Sequence, residues 1–431
     1  MTEPKSSGDL DPLPSVEAPE SVTHWSQLIR DWEAGADDAR LIPVGSCSKP
    51  GLSKPFLDAP STSAPKRFSA RCLSGIIQYD PSEFTISVAS GTPVRDVMQA
   101  LAQHGQTLPF DPPRANANAT IGGCVASGWS GPGRWRYGGL RDFILAASFL
   151  DGLGNEVHTG APVVKNAAGF DFPKLMVGSL GRLGVLTRLT FKVFPQSESP
   201  QTWAIHFESL GEAAEYMQSL TRMPIEIDAI ELCSPGTFSA LTSQTGEDIG
   251  AKGWAIVLRI PGPQSVVRAT VERIQSTVDG PAPQQLPEEA AASVWDLLLN
   301  HQAAVSVRVP ITPRQMNVLQ EDFPKSLNDN SWHVHFGLAG NVMFIRGSGT
   351  VQELHDWLCR HGLAGTLLNV DETCEGSERT GCGIGIWRHD EVVLRVARGI
   401  DPHQRFAPFV FGKPMHQHTS THRHLMPKVK G

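Results

Sequence analysis

Three glycine-bearing segments constrain this chain more than anything else in it: PVGSCSKPG (43–51), ATIGGCVASGWSGPG (119–133) and GSLGRLGVLT (178–187). The middle one lies in a run, residues 117–145, that holds seven glycines and breaks every helical or strand period within a few residues. Each segment follows a strand-like run or leads into one. Glycine lets neighbouring N–H groups converge on a concavity and lets a bulky anionic or planar ligand touch the main chain. The residues leave two readings open, tight turns in a strand-rich domain or a cradle for a large phosphorylated cofactor. Three segments together favour the cradle. None ends in the Lys-Ser/Thr of a P-loop, and none is a G-x-G-x-x-G opening a helix after a parallel strand. Nucleotide hydrolysis and ordinary dinucleotide binding both lose ground.

Composition narrows the class. At 431 residues, 40% hydrophobic and 19% charged, the chain has the material for a large core and two or three domains. The 44 acidic and 37 basic residues give a net charge of -7 with no basic face, which argues against nucleic acid. No run approaches the roughly 18 apolar residues of a membrane span, and MTEPKSSGDLDPLPSVEAPE lacks an apolar signal core. The protein is expected to be cytoplasmic, with any membrane association made through partners. Seven scattered cysteines without a C-x-x-C pair speak against a disulfide framework or a thiolate metal site, so no metal is expected.

The pattern along the chain is α+β. Residues 1–21 read as a disordered leader. Trp25, Leu28, Ile29 and Trp32 then recur at helical spacing, followed by the strand ARLIPVG. GIIQYDPSEFTISVASG and FILAASFLDGLGNEVHTG read as hairpins, and TPVRDVMQALAQHG as a short amphipathic helix. A Pro/Ser-rich boundary at 195–201 separates residues 22–197 from a second α+β region, 198–388, with strands TWAIHFES, EIDAIELCS, GWAIVLRIPG, AVSVRVPIT, WHVHFGLAG and VMFIRGSG. Residues 389–412 are expected to return to the first domain. The tail 413–431, with His416, His418, His422 and His424, reads as disordered rather than as a metal tract.

Six motifs occur in a family order over residues 41–195: GSCSK, GIIQYDPSEFTISVASGTPVRDV, GQTLPFDPP, ATIGGCVASGWSGP, GGLRDFILAASFLDGLG and KNAAGFDFPKLMVGSLGRLGVLTRLTFKVFP. In this the chain resembles the FAD-binding domain of the vanillyl-alcohol oxidase / p-cresol methylhydroxylase (PCMH-type) superfamily. Within it, the chain is similar to the accessory FAD-binding subunits of bacterial glycolate oxidases, with Lys165-Asn166 to Asp171 the most specific stretch. The later region matches loosely, through SVRVP and RVARGIDPHQRFAP. The resemblance implies a PCMH-type FAD-binding domain of two α+β subdomains plus an α+β cap. It implies FAD, with Gly45, Ser46, Cys47, Ser48 and Lys49 around the pyrophosphate. Leu108 and Pro109 would lie at the adenine or ribose end, and Thr120, Ile121, Gly122 and Gly123 beside the isoalloxazine. Gly178, Gly181, Gly184 and Val185 would close the adenine side. It also implies partners, a catalytic flavoprotein subunit and an iron–sulfur subunit, acting on glycolate or another small 2-hydroxy acid.

The chain departs from an independent oxidase in two ways. The first loop has Cys47 and no histidine, and Cys124 reads as a buried filler, so non-covalent FAD is expected. The glycine-histidine cluster of the family's catalytic subunits is absent. The catalytic residues are therefore unknown, and the candidates are thin: His333 and His335 on one face of WHVHFG, with Arg308 in VSVRVP. Their alternative is a polar strand side facing solvent. Arg141-Asp142 reads as a structural ion pair. Two other functions stay open, a stand-alone FAD-dependent 2-hydroxy-acid dehydrogenase and a scaffold that has lost its flavin.

Overall fold

The computed structural model describes residues 17–32, 40–53, 65–161, 170–237, 253–301, 303–320, 332–371, 382–387 and 391–407. Lys165-Asn166 and the histidine-bearing tail lie outside them.

The first domain begins with helix α1 (Val22–Asp31), capped by Ser21, whose hydroxyl accepts the His24 N–H at 3.1 Å. Its apolar stripe buries Trp25 and Ile29 against Leu41, Phe68, Leu150 and Phe406. Strand β1 (Leu41–Val44) pairs in parallel with β2 (Lys66–Ser69). Strands β3 (Ile76–Asp80), β4 (Thr85–Ala89), β6 (Ile144–Leu150), β7 (Glu156–Gly160) and β8 (Val185–Lys192) form an antiparallel sheet in the order β3-β4-β8-β6-β7. Helix α2 (Val94–Ala102) lays Val94, Val97 and Leu101 on this sheet's core. A small pair, β5 (Gln106–Thr107) with β9 (Phe194–Pro195), closes its edge.

The second domain is a nine-stranded sheet in the order β13-β10-β12-β11-β15-β16-β14-β17-β18. Its strands are β10 (Gln201–Phe207), β11 (Ala229–Cys233), β12 (Trp254–Ile260), β13 (Gln284–Gln285), β14 (Val305–Pro310), β15 (Trp332–Gly337), β16 (Val342–Gly347), β17 (Ala364–Val370) and β18 (Gly383–Gly385). Side chains alternate across it with period two. One face is apolar and carries the helices Leu210–Arg222, Gln264–Thr277, Pro313–Gln320 and Val351–Arg360. The opposite face starts apolar, where Ala204, Cys233, Ala255 and Val257 pack on the helix Glu288–Asn300. It turns polar where it meets the first domain.

The chain then returns. Leu41 N–H donates to the Arg405 carbonyl at 2.8 Å, and the Ala407 N–H donates to the Leu41 carbonyl at 2.8 Å. The Asp401 carboxylate fixes this crossing by accepting the Arg405 and Phe406 N–H groups at 3.0 and 2.8 Å.

Three features differ from the sequence reading. The chain is engaged from Glu17, whose carbonyl accepts the Ser69 N–H at 2.8 Å, so the leader does not run unbroken to residue 21. The glycine-rich stretch contains a helix, α3 (Ile121–Ser127), because Thr120 caps it and Gly128, at φ +58°, ends it. Asp142 accepts the Gly139 N–H at 2.8 Å and thereby caps a short turn, while Arg141 is exposed, so the carboxylate's structural partner is backbone rather than its neighbour.

Candidate cofactor and substrate site

Strand β1 delivers the loop Gly45–Lys49 to the start of α3, and a cleft of about 480 Å³ opens between them, lined by Ile42–Lys49, Leu52, Ser53, Thr120, Gly123, Ala126, Ser127, Leu180 and Gly181. It continues into about 390 Å³ bounded by Ala70, Ser90, Gly122, Ser179, Gly184, Val185 and Leu186. The Ser46 and Ser90 hydroxyls at this cleft are buried without a hydrogen-bond partner in the chain. Lys49 is buried beside them, its ammonium 3.3 Å from Ser48 Oγ, and burial pushes its pKa down, with Arg114 and Arg308 adding to the effect against Cys124. A buried cation and the orphaned Ser46 hydroxyl on one bare loop, with the orphaned Ser90 hydroxyl in the continuation of the cleft, fit the pyrophosphate of a dinucleotide.

Of the residues the resemblance pointed to, Gly45, Ser46, Cys47, Ser48, Lys49, Thr120, Gly122, Gly123, Gly181, Gly184 and Val185 line this cleft. Four do not. Leu108 is fully buried in the first domain's core with Val94, Leu101, Phe110 and Phe143. The carbonyl of Pro109 lies against Gly133. Ile121 faces the same core as Leu108. Gly178 donates its N–H to the Val125 carbonyl at 2.9 Å and packs on the end of α3. The bareness of Gly122 also has a packing cause. A side chain there would meet Ser90 Cβ and O at 2.8 Å, so glycine lets α3 close onto the end of β4. Cys124 is buried and away from the cleft lining, and burial pushes its thiol pKa up.

A second concavity adjoins the first. Ser48 and Lys49 also line a small hollow between the domains, with Arg114, Trp129, His301, Ser306, Arg346, Leu368 and Asn369. No carboxylate is among those residues. Burial pushes Arg346 down to about 10, with Arg114 adding to it, and pushes His301 down to about 4, with Arg346, His333 and Arg114 adding. The cavity is thus a cationic hollow beside the cofactor loop.

Beside the tilted pair Trp129–Phe344, whose ring centroids are 5.8 Å apart, lies a third small hollow, which holds Glu231 and His335. The sheet register explains why. Arg308 pairs with Phe344 and Phe344 with His335, so the three form one row on the polar face, while Ser306, Arg346 and His333 form the next. His335 is therefore buried against the first domain and not in solvent, stacked on Phe344 at 4.5 Å. Phe344 separates it from Arg308, which donates to the Gly128 carbonyl at 3.3 Å. His333 is half-buried, lines neither hollow, and its Nδ1 faces the Gly236 position. The candidate set His333, His335 and Arg308 does not form one cluster. Sequence reading missed Glu231, Arg346, Arg114 and His301. The signal available was an acid or arginine inside an otherwise apolar strand, AIELC and VMFIRG.

The domain interface is fixed by charge. Asp111 accepts from Arg259 at 2.6 Å and from the Gly133 N–H at 2.7 Å, and Arg136 bonds Asp228 and Glu226, each at 3.0 Å. Asp111 stands just before the glycine-rich run and Arg136 within it, so the segment that builds the cleft also sets the second domain over it.

Comparisons agree with this geometry. Residues 19–160 match the family model described as an FAD binding domain. The chain is 40% identical over 196 residues to the glycolate oxidase subunit GlcE of Escherichia coli (strain K12), covering 45% of this chain and 53% of that protein. It is 26% identical over 206 residues to the glycolate oxidase subunit GlcD of Bacillus subtilis (strain 168), covering 47% and 43%. It is 27% identical over 179 residues to the mitochondrial D-lactate dehydrogenase [cytochrome] 1 of Saccharomyces cerevisiae, covering 42% and 30%. The chain thus matches about half or less of the length of these relatives. A solved alkyldihydroxyacetonephosphate synthase superposes with a TM-score of 0.62 at 18% identity, covering 91% of this chain and 76% of that one, which extends the likeness of fold to the second domain. Among the described residues no helix is long and apolar enough to cross a membrane. With its cofactor cleft and its matching domain, the chain carries an FAD binding domain over residues 19–160, and its cofactor is FAD.

Proposed function

We propose that this chain is the FAD-binding subunit of a complex that oxidises glycolate to glyoxylate, working with a catalytic flavoprotein subunit and an iron–sulfur subunit. When bound, FAD supplies the two-electron acceptor for a hydride from the α-carbon of a hydroxy acid. The chain's own part is to hold the pyrophosphate on Gly45–Lys49 and a small carboxylate in the hollow next to it. The observation that carries this reading is the cationic cavity of Arg114, Arg346 and His301, which shares Ser48 and Lys49 with the cofactor cleft. A carboxylate there would meet the guanidinium of Arg346 next to the cofactor cleft.

The same geometry supports an accessory role at neutral pH. The His335 lone pair is taken by Arg346 at 3.1 Å, Glu231 is held neutral by burial, and His301, with its pKa at about 4, is a weak proton acceptor. No lining group is ready to take the hydroxyl proton. A stand-alone 2-hydroxy-acid dehydrogenase is the second reading, favoured by the burial of Glu231 and His335 at the domain interface. Dye-linked oxidation of glycolate and of D-lactate by the purified chain, alone and with its partners, separates the two. The complex reading expects FAD content without appreciable turnover for the chain alone.

A further inference from the structure

We infer that Glu231 is a positioning residue for the anion cavity: standing behind His335, it holds that ring against Arg346 and so keeps Arg346 turned toward an anionic ligand. This rests on reading that cavity as a carboxylate site. The three side chains form a buried chain, each at most 4% exposed. A guanidinium has donors and no acceptor. Arg346, 3.1 Å from Nδ1 of His335, therefore requires that nitrogen to accept, which leaves the ring neutral with its proton on Nε2. Nε2 stands 3.5 Å from Oε2 of Glu231. Arg346 is braced on its other side by donating to the Leu298 carbonyl at 2.8 Å. It lines the cationic cavity, while Glu231 and His335 line the hollow beside Trp129 and Phe344.

The groups facing Glu231 come from every element around it. They are Cys233 on its own strand, Arg259 on β12, His335 on β15, Arg346 on β16, Asp111 from the first domain, and the Leu338 N–H at 3.3 Å. Burial dominates among them and pushes the carboxyl up to about 8. Below that pH the contact with His335 is neutral on both sides rather than an ion pair, since burial and Arg346 hold His335 well below its usual range. Above it, a carboxylate appears beside Arg346 and competes with the ligand for the guanidinium. Proton on Glu231 and anion in the cavity then bind cooperatively, by linkage.

Calorimetry of oxalate binding to the FAD-loaded full chain between pH 6 and 9.5 tests this, in buffers of different ionisation heat. Wild type is expected to bind steadily below pH 7 and to lose about tenfold in affinity by pH 9, one unit of coupling corresponding to about tenfold. Each oxalate should take up a proton at pH 9 and none from Glu231 at pH 6. Glu231→Gln, which fixes the neutral form, should keep the pH 7 affinity, with the pH 9 loss and the proton uptake abolished. Glu231→Ala should weaken binding already at pH 7. Retention of the wild-type pH slope in Glu231→Gln overturns the inference while leaving the cavity intact. Absence of oxalate binding to wild type at every pH overturns the cavity reading and this inference with it. If Glu231→Gln does not fold, proton uptake by wild type decides: none at pH 9 overturns the proposal.

Discussion

Thr120 occupies the space that a side chain at Gly45 would need, and the same hydroxyl accepts the Gly123 N–H at 3.1 Å. One side chain thus caps helix α3 and sets the height of the loop Gly45–Lys49 above it. Gly45→Ala should push the loop off α3 and lower FAD affinity at least about tenfold, the scale of one lost hydrogen bond to a charged group. Thr120→Ala in the Gly45→Ala background should recover part of it by removing the obstruction, although loss of the cap costs about 1 kcal/mol. Flavin fluorescence titration of the three variants measures both. Purely additive losses would contradict the contact.

Gly122→Ala separates packing from cofactor contact. A methyl there meets Ser90 Cβ and O at 2.8 Å, so the apo chain itself should lose about 1–3 kcal/mol. Denaturant unfolding of apo protein reads this. An unchanged midpoint together with lost FAD binding would return Gly122 to a ring-clearance role.

The Asp111–Arg259 pair, 2.6 Å long with side chains 21% and 17% exposed, joins the domains. Asp111→Asn removes the charge and weakens the bond to the Gly133 N–H, and should destabilise by about 1–3 kcal/mol, less than a fully buried pair. It should also loosen the cationic hollow, raising the oxalate Kd. A thermal melt in low and high salt measures the first effect, which should persist at high salt because the pair is largely buried.

Much of the fold was legible. The hairpins β3–β4 and β6–β7 announce themselves by alternation and by the turns at Asp80-Pro81 and Gly152–Gly154, and α1 and α2 by the spacing of Trp25, Ile29, Val94, Val97 and Leu101. The loop Gly45–Lys49 drew notice by its glycine between a strand and a lysine, although the contact that requires the glycine, Thr120 against Gly45, is tertiary. Helix α3 was not, because its cap, its stop and its closure on Ser90 act through tertiary contact rather than apolar period. Helix Glu288–Asn300 went unread, although it supplies the carbonyls of Leu298 and Asn300 that receive Arg346 and Arg114. Leu108 was misplaced because motif order fixes neighbourhood along the chain and not which way a side chain turns. Glu231 and Arg346 gain their meaning from a nine-strand register that brings β11 and β16 onto opposite sides of β15.

Stability should carry the same signature as the buried acid. The folded chain raises the Glu231 pKa from 4.5 to about 8, so it binds that proton more tightly than the unfolded chain does. Stability from this group is present below about 4.5 and is lost as pH rises toward 8. His301 works in the other direction: its pKa, lowered to about 4, gives stability that is lost as pH falls below about 6.5. Glu231→Gln should therefore melt with wild type at pH 5 and above it at pH 8.5, by at least about 3 °C. Equal melting temperatures at both pH values would contradict a buried, neutral Glu231.

The proposed division of labour between this chain and partner subunits is tested most directly by anaerobic flavin reduction. The FAD-loaded chain is mixed with excess glycolate at pH 7, alone and then with the partner subunits, and the flavin absorbance is followed. The account expects the flavin of the isolated chain to stay oxidised while its FAD remains bound, with bleaching once the partners are present. Full bleaching of the isolated chain, at the rate seen in the complex, would contradict it and place the chemistry on this chain alone.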